Sequence, residues 1–196
     1  MVGPNDKFKQ ITVKTTNTGS YQDYRAQNSF RFLGIPCAQA PVGNLRFVAP
    51  KKWTLAECQK SNASKIMDAT EFSNTCSQFG YGYYGWPPMN KTISRFILSA
   101  DESEDCLYLN VHTPALKANR ARGLPVMVYV HGGSYTLNAG SCPFFELGNL
   151  VSRGVVIVTL NYCLSTLVSL RTSPQSRDPR PLETWLCVIR FQHCFG

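Results

Sequence analysis

The chain contains no G-x-S-x-G pentapeptide, no P-loop and no dinucleotide fingerprint. It has only three histidines, and none of them forms a Cys/His cluster with metal-ligand spacing, so neither a metal nor another cofactor is expected. An uninterrupted apolar run of about 18 residues is also missing, which argues against a transmembrane helix. Its nearest approach, residues 155–170, is broken by Thr159, Asn161, Ser165, Thr166 and Ser169. Charged residues make up only 16% of the 196, too few for a disordered polyampholyte or a coiled coil. The formal net charge is +8, but Lys and Arg are scattered rather than gathered into a stripe. This is an ordinary basic surface, and no nucleic-acid partner is expected.

Two features are abundant instead. Eight cysteines and the sequons Asn62-Ala63-Ser64 and Asn90-Lys91-Thr92 favour an oxidising compartment, with Asn62 and Asn90 as candidate glycosylation sites. The opening residues, MVGPNDKFKQ, contain no apolar leader core, so no signal peptide is visible in this chain. At this length a single domain can bury roughly 70% of its unfolded surface.

The pattern along the chain divides. Residues 10–13, 19–25 and 30–34 are short β-like runs between Asn, Gly and Ser clusters, as in hairpins. Residues 75–88 form a Gly- and Tyr-rich loop, better read as self-packed than as a stacking platform. Further on, residues 107–111 read as a strand. Residues 124–130 and 155–162 are β-branched apolar runs, which suggests strands buried on both faces of a parallel sheet. Between them lie His131-Gly132-Gly133-Ser134-Tyr135 and an expected helix over 143–153, stopped by Gly154. Strand, glycine loop, helix and strand make a βαβ unit, so the fold class is α/β.

A Gly-Gly turn at the carboxyl end of such a strand is where α/β folds bind ligands. Glycine there lets the backbone approach a substrate closely and turn its N–H groups outward, toward an oxyanion. Three further segments give that turn a context. Residues 32–47 (FLGIPCAQAPVGNLRF) resemble the first signature of the type-B carboxylesterase and cholinesterase family, and residues 103–111 (SEDCLYLNV) resemble its second. Residues 124–135 and 156–162 are similar to that family's first buried strands and intervening loop. The resemblance runs from about residue 8 to residue 167.

The resemblance implies the N-terminal part of an α/β-hydrolase fold, hairpins followed by the first strands of the central sheet, incomplete within this chain. It implies a disulfide between Cys76 and Cys106. It implies an oxyanion hole at Gly132, Gly133 and Ser134, the last two donating backbone N–H groups. Glu104 and Asp105 become structural ion-pair partners, and Cys37 replaces a residue that is usually Tyr. The substrate class implied is a small-molecule carboxylic ester, and the family implies secretion. Oligomeric state is not implied. Ser134 is not read as a nucleophile, because Gly132 to Thr136 lacks the closing glycine of the elbow.

No catalytic residue of the triad is present: nucleophile, acid and base all lie beyond the matched segments, and His112, His131 and His193 are in the wrong settings. The expectation is therefore an ester hydrolase family member that is inactive as this chain. The alternative is a non-catalytic cholinesterase-like binding or adhesion module. Residues 166–181 have neither helical nor strand periodicity, and Cys163 stands where the family carries Arg. If one nucleotide is missing near the codon for Leu167, the shifted codons permit Gly-Phe-Leu for 167–170. They also permit Ala-Pro-Gly-Asn-Leu-Ala-Leu-Arg-Asp-Gln for 180–190, which resembles the family's next segment. The expected division is thus 1–167 as carboxylesterase-like domain and 168–196 as an out-of-frame or unstructured tail.

Overall fold

The computed structural model describes residues 10–15, 19–26, 29–47, 50–54, 66–78, 101–116, 123–142 and 147–164. The two sequons, most of the Gly/Tyr loop and residues 168–196 lie outside them.

Three strands, β1 (Gln10–Thr15), β2 (Gly19–Ala26) and β3 (Ser29–Pro36), pair antiparallel in succession. The hairpin expectation is met. A short β4 (Ile66–Asp68) adds parallel to β2. Two two-residue strands, β5 (Thr75–Cys76) and β6 (Glu102–Ser103), pair parallel apart from the main sheet. β7 (Tyr108–Thr113), β8 (Val126–Val130) and β9 (Val156–Leu160) complete the described elements of the sheet, in the order β1-β2-β3-β7-β9-β8.

β3 pairs antiparallel with β7, with a break in register between Phe32 and Ile35. There the backbone leaves the ladder: Leu33 N–H donates to Ala69 O at 2.8 Å and Gly34 N–H to Asn110 Oδ1 at 2.9 Å. Gly34 has φ +65, and a Cβ would sit 3.0 Å from Glu71 O, so the bulge needs glycine.

The core lies along β7 and β9. Leu107, Leu109, Val158, Leu160, Tyr162 and Leu164 pack with the half-cystines Cys76 and Cys106. Full burial of a Leu or Ile side chain such as Leu160 or Ile157 contributes about 1.5–3 kcal/mol. The disulfide Cys76–Cys106, which the resemblance implied, is formed (S–S 2.05 Å) and closes a 30-residue separation.

Three expectations need correction. The second apolar run is buried as expected, but β8 is not: Val126 to Val130 are 40–58% exposed. Run length and β-branching indicate a strand but carry no information on its neighbours. β8 sits at the sheet edge, with β9 its pairing partner among the described residues. Of the helix expected over 143–153, residues 143–146 lie outside the described residues, and α1 spans Gly148–Val151, ending short of residue 153. Gly154 follows it with φ +85, as a terminator should. Finally, Glu104 forms the expected ion pair, with Arg46 at 2.6 Å, whereas among the described residues Asp105 has no ion-pair partner. Its carboxylate accepts from the Tyr108 hydroxyl at 3.0 Å, and burial together with that negative neighbour pushes the phenol up to about 12. Among the described residues, no helix is long and apolar enough to cross a membrane.

Candidate functional site

β8 and β9 run parallel, with Val130 opposite Leu160, so both release their carboxyl ends at one rim of the sheet. His131 and Asn161 begin the two loops there, and the glycine turn starts immediately after His131.

The turn is built from peptide planes held by their carbonyls. His131 Nδ1 lies 3.0 Å from Gly132 O. A carbonyl only accepts, so Nδ1 carries the proton and Nε2 is bare. Nε2 is buried and has no hydrogen-bond partner among the described residues. Burial holds the imidazole below its ordinary pKa, the Gly132 contact opposing weakly, so the ring is neutral near pH 7. The next carbonyl, Gly133 O, accepts from Thr136 N–H at 2.9 Å, Leu137 N–H at 3.2 Å and Thr136 Oγ1 at 3.0 Å.

A trans peptide points its C=O and N–H in opposite directions. Anchoring Gly132 O therefore turns Gly133 N–H away from His131. Anchoring Gly133 O likewise turns Ser134 N–H away from Thr136. Among the described residues, no acceptor takes either N–H. Adjacent donors left in this way stabilise negative charge on an oxygen brought against them.

The local chain is forced into this shape. Gly133 has φ +131, and a Cβ would lie 2.2 Å from Leu137 O. Ser134 and Tyr135 follow at φ +54 and +60, and Asn138 at φ +92. Left-handed backbone costs a non-glycine residue about 1–2 kcal/mol, so the surroundings must hold it.

The contacts that do so were not legible in the sequence. Tyr162 Oη donates to His131 O at 2.7 Å, its ring stacked on the imidazole at 4.4 Å, and Tyr135 meets it edge-on at 6.2 Å. Gly140 lies against the β9 backbone, where a Cβ would be 2.8 Å from Leu160 N. Its N–H donates to Asn161 Oδ1 at 2.9 Å, and Asn161 Nδ2 donates to Asn74 O at 2.9 Å. From β7, Asn110 Nδ2 reaches Thr159 Oγ1 at 3.0 Å. Asn138 is held by Gln78 through two bonds of 2.8 Å.

The structure thus brings Gly132, Gly133 and Ser134 together in one turn. Cys76 and Cys106 are bridged within the core. His112 is placed elsewhere, on β7, and His193, Asn62 and Asn90 fall outside the described residues. No group of three or more potential metal ligands occurs among the described residues.

Comparison with known proteins places the chain among carboxylesterases. Residues 10–177 match the model of the carboxylesterase family. Para-nitrobenzyl esterase of Bacillus subtilis (strain 168) is 33% identical over 162 residues, covering 82% of this chain and 29% of that protein. Acylcarnitine hydrolase of Mus musculus is 34% identical over 175 residues, covering 83% and 28%. The crystal structure of carboxylesterase Est55 from Geobacillus stearothermophilus superposes with a TM-score of 0.59 at 27% identity, covering 80% of this chain and 27% of that one. The chain therefore spans less than a third of the length of these relatives.

Proposed function

The chain belongs to the carboxylesterase family, and from that premise we propose that it carries the oxyanion-stabilising part of a serine carboxylic ester hydrolase. Gly133 and Ser134 donate their backbone N–H groups to the substrate carbonyl oxygen, and Gly132 supplies the turn that leads to them. One observation carries the reading. The carbonyls of Gly132 and Gly133 are both engaged within the loop, while the paired N–H groups are not.

In acyl transfer to a serine, negative charge develops on the carbonyl oxygen as the tetrahedral intermediate forms. Donors fixed beforehand stabilise that charge without reorganising, and losing one such donor lowers kcat about 10²–10³-fold. A further donor in hydrolases of this type is the N–H that follows the nucleophile. These 196 residues contain no G-x-S-x-G, so we infer that the chain by itself binds an ester carbonyl at most and turns nothing over. No observation favours the non-catalytic binding or adhesion module. The substrate proposed for the whole protein is a small-molecule carboxylic ester. Secretion is the compartment that the Cys76–Cys106 bridge supports.

Residues 168–196 are, on this reading, translated out of frame. Sequencing the genomic DNA and the transcript from codon 160 onward tests it. One added base that restores Gly-Phe-Leu and leads to a G-x-S-x-G supports the proposal, and a tail that no single base restores overturns it. The 196-residue chain is expected to leave p-nitrophenyl acetate unhydrolysed above background. Turnover abolished by a serine-directed phosphonate would defeat that part.

A further inference from the structure

We propose that Gln78 is the positioning residue of the glycine loop, its carboxamide clasping the backbone of Asn138 from the disulfide-bearing segment 60 residues away. For its catalytic consequence, though not for its geometry, this rests on reading Gly133 and Ser134 as oxyanion donors.

Asn138 has φ +92 and cannot join a strand ladder, so its backbone N–H and C=O need partners of another kind. Gln78 supplies both. Its Nε2 donates to Asn138 O at 2.8 Å, and its Oε1 accepts from Asn138 N–H at 2.8 Å. A side-chain amide presents a donor and an acceptor side by side, as a neighbouring strand would. Gln78 is buried at 9% exposure, and Asn138 is half-buried. Losing one half would leave a shielded polar group unsatisfied.

Both ends of the clasp matter. At one end, Leu137, next to Asn138 in sequence, donates its N–H to Gly133 O. The clasp is therefore one residue from the bond that orients Ser134 N–H. At the other end, Gln78 lies two residues beyond Cys76, which is bridged to Cys106, and β5 pairs with β6. Gln78 N–H donates to Glu102 Oε2 at 3.4 Å. The anchor is thus covalently stapled, while the loop it holds is strained.

The test is residue-resolved amide hydrogen exchange on the 196-residue chain at low micromolar concentration, comparing wild type, Gln78→Met and Gln78→Glu. The methionine variant keeps the shape and removes both bonds. It is expected to speed exchange at Thr136, Leu137 and Asn138 by on the order of tenfold, with Ile157, Val158 and Thr159 on β9 unchanged. The glutamate variant separates positioning from packing. Ionised, it still accepts from Asn138 N–H but cannot donate to Asn138 O, so near pH 7 exchange should be faster than in the wild type. Protonated, it both donates and accepts, so the exchange ratio to wild type at the same pH should fall toward one as pH drops. Glu102, which accepts from Gln78 N–H, is a titratable neighbour of this site among the described residues, and its charge would raise the pH at which rescue begins.

Three results would overturn the clasp. They are an unprotected Asn138 amide in the wild type, equal loosening of β9 in the methionine variant, and a glutamate ratio that ignores pH. In a whole protein carrying the nucleophile, Gln78→Met should lower kcat on the order of tenfold with little change in KM. A confirmed clasp with kcat unaltered would leave the positioning geometry intact and defeat the oxyanion reading instead.

Discussion

Tyr162 donates its phenolic hydrogen to the backbone carbonyl of His131 at 2.7 Å while the two rings stack 4.4 Å apart. One side chain from the end of β9 thus fixes both the backbone and the imidazole at the end of β8. Replacing Tyr162 by Phe keeps the stack and removes the bond. The expected cost is about 1 kcal/mol, read as a lower urea midpoint with unchanged slope. Tyr162→Ala removes both contacts and should cost several times as much. If the Phe variant equals wild type, the bond is not made in solution.

The two glycines of the turn should respond differently to alanine. At Gly132 a Cβ meets nothing within 4 Å, so Gly132→Ala is expected to change stability by less than about 0.5 kcal/mol. At Gly133 it meets Leu137 O at 2.2 Å on a φ of +131. Gly133→Ala should therefore cost about 2 kcal/mol or more, or remodel the loop. Chemical denaturation with hydrogen exchange at Thr136 checks both, and equal behaviour would contradict the geometry.

His112 predicts a pH dependence. It is buried on β7 directly opposite Arg31, and burial first, then that positive charge, holds its pKa down at about 4 against 6.5 unfolded. The unfolded chain takes up the proton first. Stability from this group is complete above pH 6.5, falls between 6.5 and 4, and levels off below. The loss is on the order of 3 kcal/mol. His131, shifted the same way, adds to it with the same sign. Thermal melts of wild type and His112→Leu from pH 7.5 to 4 should converge toward acid, and parallel curves would exclude the histidine as the cause.

Reduction of Cys76–Cys106 releases a loop of about 30 residues and should cost about 3–4 kcal/mol in the chain-entropy description. The paired Cys76→Ser, Cys106→Ser variant should reproduce that loss in the presence or absence of dithiothreitol. Reductant should destabilise the wild type alone.

Among the described residues β8 is the last strand of the sheet, and its five consecutive apolar residues are exposed. Such an edge templates further strand pairing, so the chain is expected to associate as its concentration rises. Val128→Lys should shift sedimentation toward monomer, and an unchanged profile would place the contact elsewhere.

These residues also show how far a sequence reaches. Val156 to Leu160 announce a buried strand because five apolar or β-branched residues in a row have few other homes, and β9 is buried. The same signal at 126–130 gave the strand but not its exposure, since burial depends on neighbours that a local pattern does not contain. Cys76 and Cys106 were paired through family resemblance, as eight cysteines alone permit too many connectivities. Gly132 and Gly133 marked the turn. The contacts that hold it, Gln78 to Asn138 and Asn161 to Gly140, join residues 60 and 21 positions apart through single side chains with no periodicity to reveal them. Ser134 and Tyr135 take left-handed backbone against their own preferences, which only tertiary contacts enforce.

The pairing of β3 with β7 carries a consequence for synthesis on the ribosome. Phe30 and Thr113 meet across about 80 residues of intervening chain, which at translation rates of about 5–20 residues per second takes roughly 4–16 s to emerge. The β1-β2-β3 meander therefore leaves the exit tunnel with one flank unpaired. It must be shielded from neighbouring nascent chains until β7 arrives to cover it.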